Sequence, residues 1–364
     1  MTAVRPRDLL SDDLLGRLGG TARPGGGQPG VLSADVAALA GVGYLNVALP
    51  PEFGGLGCTL RQAACGQRRL ARTAPGTALA VSAHLYWTGA AADAYRAGDD
   101  SVRWILAEAA DGALFAAGHG GDAGGPGGDL RFADPRSRCE LAGDGGYQFA
   151  QPGLLSTMTP GWDWIAVHGV HQAAPSRSAQ PQLVIGFAGH GARCTPPFRV
   201  ARAEPAGTPG DVFLTSALTW GHSILASVQY SDARRAFNDA LTAYAEAAAA
   251  AMAAACAQAD GPAAGGPATD GSAAAAPPAP PVPPAPPAGR WPVAEAGTLL
   301  DTMKAQIAEV THRWRLAQDP APDVGGQHLI GLYAMRHQVA EGAARVHDLI
   351  SQVTGAPAPT RPLV

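Results

Sequence analysis

The sequence predicts an α+β multidomain protein: a helical N-terminal domain over residues 1–112, a small β domain over 113–213 and a helical C-terminal domain over 214–364. Three observations lead there. Apolar residues recur at helical spacing on both sides of a central stretch rich in short β-like runs. That central stretch contains a Gly-Asp-Gly-Gly turn between two strand patterns. Residues 260–289, almost all Ala, Pro and Gly, then interrupt the second helical part; their composition cannot offset ordering entropy, so a disordered insertion is expected.

Residues 1–47 hold short helical patterns broken by TARPGGGQPG, a loop by its Gly and Pro content. ALPPEFGGLG, residues 48–57, is a stiff turn whose glycines permit positive φ and close helix approach. In LRQAACGQRRLAR, Leu60, Ala63, Ala64 and Leu70 share a helical face. TALAVSAHLYWTGAAADAYRAG is apolar apart from its ends and predicts a buried helix. DDSVRWILAEAADG predicts a helix capped by Asp100 or Ser101, with Val102, Ile105, Leu106 and Ala109 as its stripe and Gly112 as its stop. Strands are expected in ALFAAG, in the hairpin RCELAGDGGYQFA, in WIAVHGV and in QLVIGFAG. Helical periodicity returns at Thr215 and runs to CAQA, and two last helices are expected over 292–317 and 325–353.

Hydrophobic residues make up 46% and charged residues 15%, with net charge −4, so no basic surface for nucleic acid is expected. The run Ala247–Ala255 reads as too short and too weakly apolar for a membrane span, and the first residues lack an apolar run of signal-peptide length. A cytoplasmic protein is expected. The five cysteines include no CxxC pair, and neither His190 with Cys194 nor His337 with His347 has metal-site spacing, so no metal is predicted. GxxxxGK[ST] and GxSxG are absent, and the GxGxxG-like spacing in GHGGDAGGPGGD follows no βα pattern.

With these elements in order, Pro51-Glu52-Phe53-Gly54-Gly55-Leu56-Gly57 resembles the "PEEYGGLG"-like turn of the acyl-CoA dehydrogenase family. LARTAPGTALAVSAHLYWTG is similar to that family's buried helix pair, and ELAGDGGYQFAQPGLLSTMTPGWDWIAV to its middle β segment. GHSILASVQYSDARRAFNDAL looks like the first long helix of its C-terminal bundle. The resemblance implies the family's fold and, in intact members, FAD. Here the flavin loop "TEPGAGSD" reads Ala117-Gly118-His119-Gly120-Gly121-Asp122-Ala123-Gly124-Gly125, and of the strand flanking the ring only Ser156 in LLST remains. The "lGmRaS/T" turn is missing, as are the arginine expected after the long helix and the family's last helix. From these losses no cofactor is expected, with FAD as the alternative.

The candidate site is the junction of the three parts. His84, Tyr86 and His222 are the candidate catalytic residues, His84 for proton transfer because an imidazole near neutral pKa can give or take a proton. Trp87, Gly118, His119, Asp122, Ser156, Thr157, Trp162 and Trp220 are the candidate pocket residues. The competing reading makes His84, Tyr86 and Trp87 core residues with satisfied polar ends, and 118–122 a solvated loop. Three functions follow: a repurposed flavin-independent cyclase or isomerase of specialised metabolism acting on an acyl or polyketide-like substrate, a flavin oxidoreductase with an atypical site, or a non-catalytic subunit paired with an intact homologue. A homodimer through the Ala-rich face of the long helix is expected.

Overall fold

The turn at 50–57 explains how the N-terminal helices meet. In a computed structural model, which describes residues 5–18, 29–117, 138–141, 147–150, 161–171, 182–189, 199–205, 212–259, 290–317 and 324–354, Gly54 and Gly57 have φ of +77° and +60°. Gly55 lies so close to the preceding segment that a Cβ there would stand 2.2 Å from the Leu49 carbonyl oxygen. Glycine is required at each for the reason the sequence suggested.

Three helices precede the turn, α1 (Pro6–Leu9), α2 (Asp12–Leu18) and α3 (Pro29–Gly41), and three follow, α4 (Leu60–Thr73), α5 (Pro75–Arg96) and α6 (Arg103–Ala110). Thr59 caps α4 in a reciprocal box with Gln62, and Pro75 opens α5, where its missing N–H costs nothing. α5 is buried on nearly every side, as its apolar composition requires. One cap is corrected: Asp99, rather than Asp100 or Ser101, accepts the Ser101 N–H ahead of a 3-10 turn that runs into α6. Gly112, at φ +96°, stops the segment as expected.

The β domain is a mixed sheet of β1 (Phe115–Ala117), β2 (Arg138–Leu141), β3 (Tyr147–Ala150), β4 (Trp164–His171), β5 (Gln182–Gly189) and β6 (Arg199–Pro205). The order is β3-β2-β4-β5-β6, with β1 also parallel to β4. β2 and β3 form the expected antiparallel hairpin, Arg138 opposite Ala150. The residues ahead of β1 are bound to α6 and to β4 together: the Glu108 carbonyl accepts from Ala113 N–H, the Leu114 carbonyl accepts from the N–H groups of Asp163 and Trp164, and the Asp163 carboxylate accepts from Leu114 N–H.

The C-terminal part is α7 (Val212–Ala259), α8 (Arg290–Ala317) and α9 (Val324–Thr354). The insertion 260–289 lies outside the described residues. α7 packs against α4 and α5 through its first half, and against α8 and α9 through a second core that includes Phe237, Leu300, Met303, Leu332 and Val339. An 18-residue window within α7 reaches mean hydropathy 1.4, a length and composition that the core helix of a soluble protein also attains.

Candidate functional site

His84 is wholly enclosed on α5. Its Nε2 stands 3.1 Å from the Leu45 carbonyl oxygen and its Nδ1 accepts the Phe115 N–H at 3.3 Å. Those partners fix the neutral tautomer with the proton on Nε2. Burial pushes the imidazole down to about 4, against the smaller opposing pulls of the Leu45 carbonyl and Asp163. Both nitrogens are thus committed to backbone, and the ring ties the segment before the turn to the first residue of β1.

Trp87 points toward the sheet. Its ring packs edge-on to Phe187 of β5 at 5.1 Å and stacks on Phe213 of α7 at 5.9 Å. Phe187 also meets Trp104 at 5.4 Å and Phe115 at 5.8 Å. Rings therefore fill the space where sequence reading expected an aromatic-lined cavity. Tyr86 is buried beside Trp87, with ring centroids 4.8 Å apart. Burial holds its phenol far above its usual range and the Trp87 indole opposes that weakly, so Tyr86 stays a neutral hydroxyl.

Trp220 and His222, neighbours in sequence, serve different contacts. Trp220 lies against Gly89, where a Cβ would stand 2.3 Å from its ring, and donates Nε1–H to the Asp93 carboxylate at 2.7 Å. His222 is buried edge-to-face with Tyr333 of α9, at 5.3 Å between ring centroids. The structure brings Trp87 and His84 to the sheet side of α5 and leaves His222 in the C-terminal bundle. Gly118, His119, Asp122, Ser156 and Thr157 lie outside the described residues.

Asp93 escaped sequence reading. Its buried carboxylate accepts from Ser216 Oγ at 2.7 Å, Trp220 Nε1 at 2.7 Å, Trp314 Nε1 at 2.9 Å and Arg96 at 2.6 Å. One carboxylate thus joins α5, α7 and α8. An acid in an apolar helix, one turn after a glycine, is the signal that was available.

The sheet offers a different place. Residues 118–137 follow β1 in sequence and residues 151–160 precede β4, and both stretches lie outside the described residues. β1 and β4 are parallel neighbours, Phe115 beside Trp164 and Ala117 beside Ala166, so Trp164 lies next to the start of β1. Half-buried Trp162 packs on the sheet core there, and Trp164 donates Nε1–H to Glu108 at 3.3 Å.

No family model and no curated protein matches the sequence. Solved structures do. KijD3 in complex with FMN and dTDP-3-amino-2,3,6-trideoxy-4-keto-3-methyl-D-glucose aligns with a TM-score of 0.66 at 18% identity, over 96% of this chain and 83% of that one. The nitrososynthase of Micromonospora carbonacea var. africana aligns with a TM-score of 0.64 at 18% identity, over 96% and 86%. Dibenzothiophene monooxygenase TdsC of Paenibacillus sp. A11-2 gives 0.61 at 14%, over 96% and 87%. The chain has the acyl-CoA dehydrogenase fold. The expectation of a cofactor-free protein is corrected by these same structures: KijD3 and, in another structure, TdsC hold FMN on this fold. The loss of family motifs in a single sequence was the wrong guide, since the fold carries flavin in proteins only 18% and 15% identical to this one.

Proposed function

We propose that this chain is a flavin-dependent oxidoreductase of the oxygenating kind, acting on a small organic substrate of specialised metabolism. The fold shared over 96% of the chain with a nitrososynthase and a monooxygenase carries the reading. The state of the carboxylates supports it. Asp93 at the junction takes four donors, and at the sheet flank Asp163 holds Leu114 N–H and Glu108 holds Trp164, so each is engaged in structure rather than poised to remove a substrate proton.

Among the described residues a flavin fits best along the sheet, where Trp162 offers an aromatic face beside β1 and β4. They do not fit one between α5 and the start of α7, which Trp87, Phe187 and Phe213 fill. A bound flavin supplies the redox chemistry. The chain's own contribution is placement. His84 holds Phe115, and with it the strand from which the 118–137 segment departs, so we assign it a positioning role in place of proton transfer.

Titration of the purified protein with FMN and with FAD, followed by flavin fluorescence, tests the reading. Saturable binding of either is expected. Failure of both to bind rejects it.

A further inference from the structure

Thr219 decides how His328 is protonated. The two side chains meet between α7 and the start of α9, with Thr219 Oγ1 3.0 Å from His328 Nε2. The same hydroxyl lies 2.7 Å from the Thr215 carbonyl oxygen. A carbonyl oxygen can only accept, so the hydroxyl proton goes to Thr215 and Oγ1 accepts Nε2–H from His328. His328 therefore carries its proton on Nε2, and its Nδ1 is a bare acceptor. That nitrogen has no partner among the described residues and is not sealed from solvent, the ring being half-buried.

The ring is also held in place. It lies against Trp314 of α8, with ring centroids 5.0 Å apart and planes inclined by 33°, and Trp314 is fixed in turn by Asp93 at 2.9 Å. An imidazole that is oriented through one nitrogen and open at the other is arranged to take up a proton. His84 differs, because both of its nitrogens go to backbone groups, and His337 and His347 face Glu341 and Asp232. Partial burial first, and then the Arg313 guanidinium of α8, hold His328 below the usual histidine value, so it rests neutral at neutral pH. Arg313 itself bonds Glu309 at 2.5 Å. On α7 the ring meets the uncharged Thr219, and on α5 Asp93 is taken up by its own donors. α9 has no charged residue from Val324 to Tyr333.

We propose that His328 is a general base that takes a proton at Nδ1 from a weakly acidic organic ligand, one bearing an O–H, an N–H or an activated C–H, while Arg313 favours the anion that results. The proton passes from ligand to Nδ1, the imidazole becomes cationic, and the bonding pair stays on the ligand. No electron leaves the pair of molecules, so the step needs no flavin and stands apart from the flavin reading. The proton transfer that sequence reading gave to His84 falls to His328, whose neighbours on α7 and α8 leave one nitrogen open.

The probe is 5-nitrobenzisoxazole, given to the full chain without flavin. A base removes its ring C–H, the N–O bond breaks and the electron pair settles on a coloured phenolate oxygen. Saturable elimination is expected, faster than the same concentration of free imidazole gives, with a rate that rises through an inflection below the ordinary histidine value of 6.5. His328→Gln, with circular dichroism unchanged, should lower the rate by at least about 10²-fold. Thr219→Val should lower it about 2- to 10-fold, the worth of one neutral hydrogen bond, and Thr219→Ser should restore it. His337→Gln, at an exposed position, should leave it unchanged. A rate no better than free imidazole, a rate that survives His328→Gln, or an equal loss in His337→Gln overturns the proposal. Nitrogen–proton correlation NMR of the unaltered chain reads the tautomer without any variant, and a proton on His328 Nδ1 at neutral pH overturns it as well.

Discussion

The helix junction between α5 and α7 and the sheet flank at β1 and β4 hold residues of similar type, and they use them differently. At the junction every notable side chain is spent on packing: Trp220 sits in the notch of Gly89, Trp87 lies among phenylalanines, and Asp93 ties three helices. At the sheet flank, Trp164 and Asp163 bind Glu108 and Leu114, and Trp162 stays half-buried. Buried aromatics and a buried histidine mark a core as readily as a pocket. Asp93 at the junction and Asp163 and Glu108 at the flank are all bonded within the chain, so what separates the two regions is space: rings close the junction, while Trp162 stays half-buried at the flank.

The sharpest way to break this comparison is Asp93→Ala. It leaves the Trp220 and Trp314 indole N–H groups and the Ser216 hydroxyl buried without their acceptor, and should cost about 3–5 kcal/mol, seen as a large fall in melting temperature. A loss below about 1 kcal/mol would show that the junction is not locked by Asp93.

His84 predicts a pH dependence of similar size. Its folded pKa lies below the unfolded one, so its contribution is complete above about 6.5 and declines as pH falls toward about 4, where the unfolded chain alone takes up the proton. The loss is roughly 3 kcal/mol over that window, at about 1.4 kcal/mol per unit. In His84→Gln, denaturant melts should lack this component. An unchanged pH slope in the variant would contradict the buried neutral imidazole.

Gly89→Ala probes the same contact sterically. A methyl 2.3 Å from the Trp220 ring forces the indole to shift and should cost about 1–3 kcal/mol by overpacking, again measured by denaturant. A neutral result would mean that Trp220 has room to spare.

Much of the fold was legible because periodicity and punctuation agree along the chain. The glycines of the PEFGGLG turn, the hairpin about Gly-Asp-Gly-Gly and the starts of α8 and α9 within two residues of expectation all follow from local chemistry. The site was less legible, for a physical reason. Helical spacing says that His84 and Trp87 are buried, yet it does not say what they meet, and their partners Leu45, Phe115 and Phe187 come from distant segments. Asp93 gives little local signal because three of its four donors lie 123 to 221 residues away. His222 and Trp220 looked like one group by proximity, but a two-residue step on a helix turns side chains about 200° apart.

The most direct test of the account places Trp162→Ala beside Trp87→Phe and measures the FMN dissociation constant of each folded protein. The sheet-flank account predicts at least about tenfold weaker binding for Trp162→Ala, the worth of one lost aromatic stacking contact, and less than about twofold change for Trp87→Phe. The reverse order, with Trp87→Phe the damaging change, would return the site to the helix junction and contradict the account.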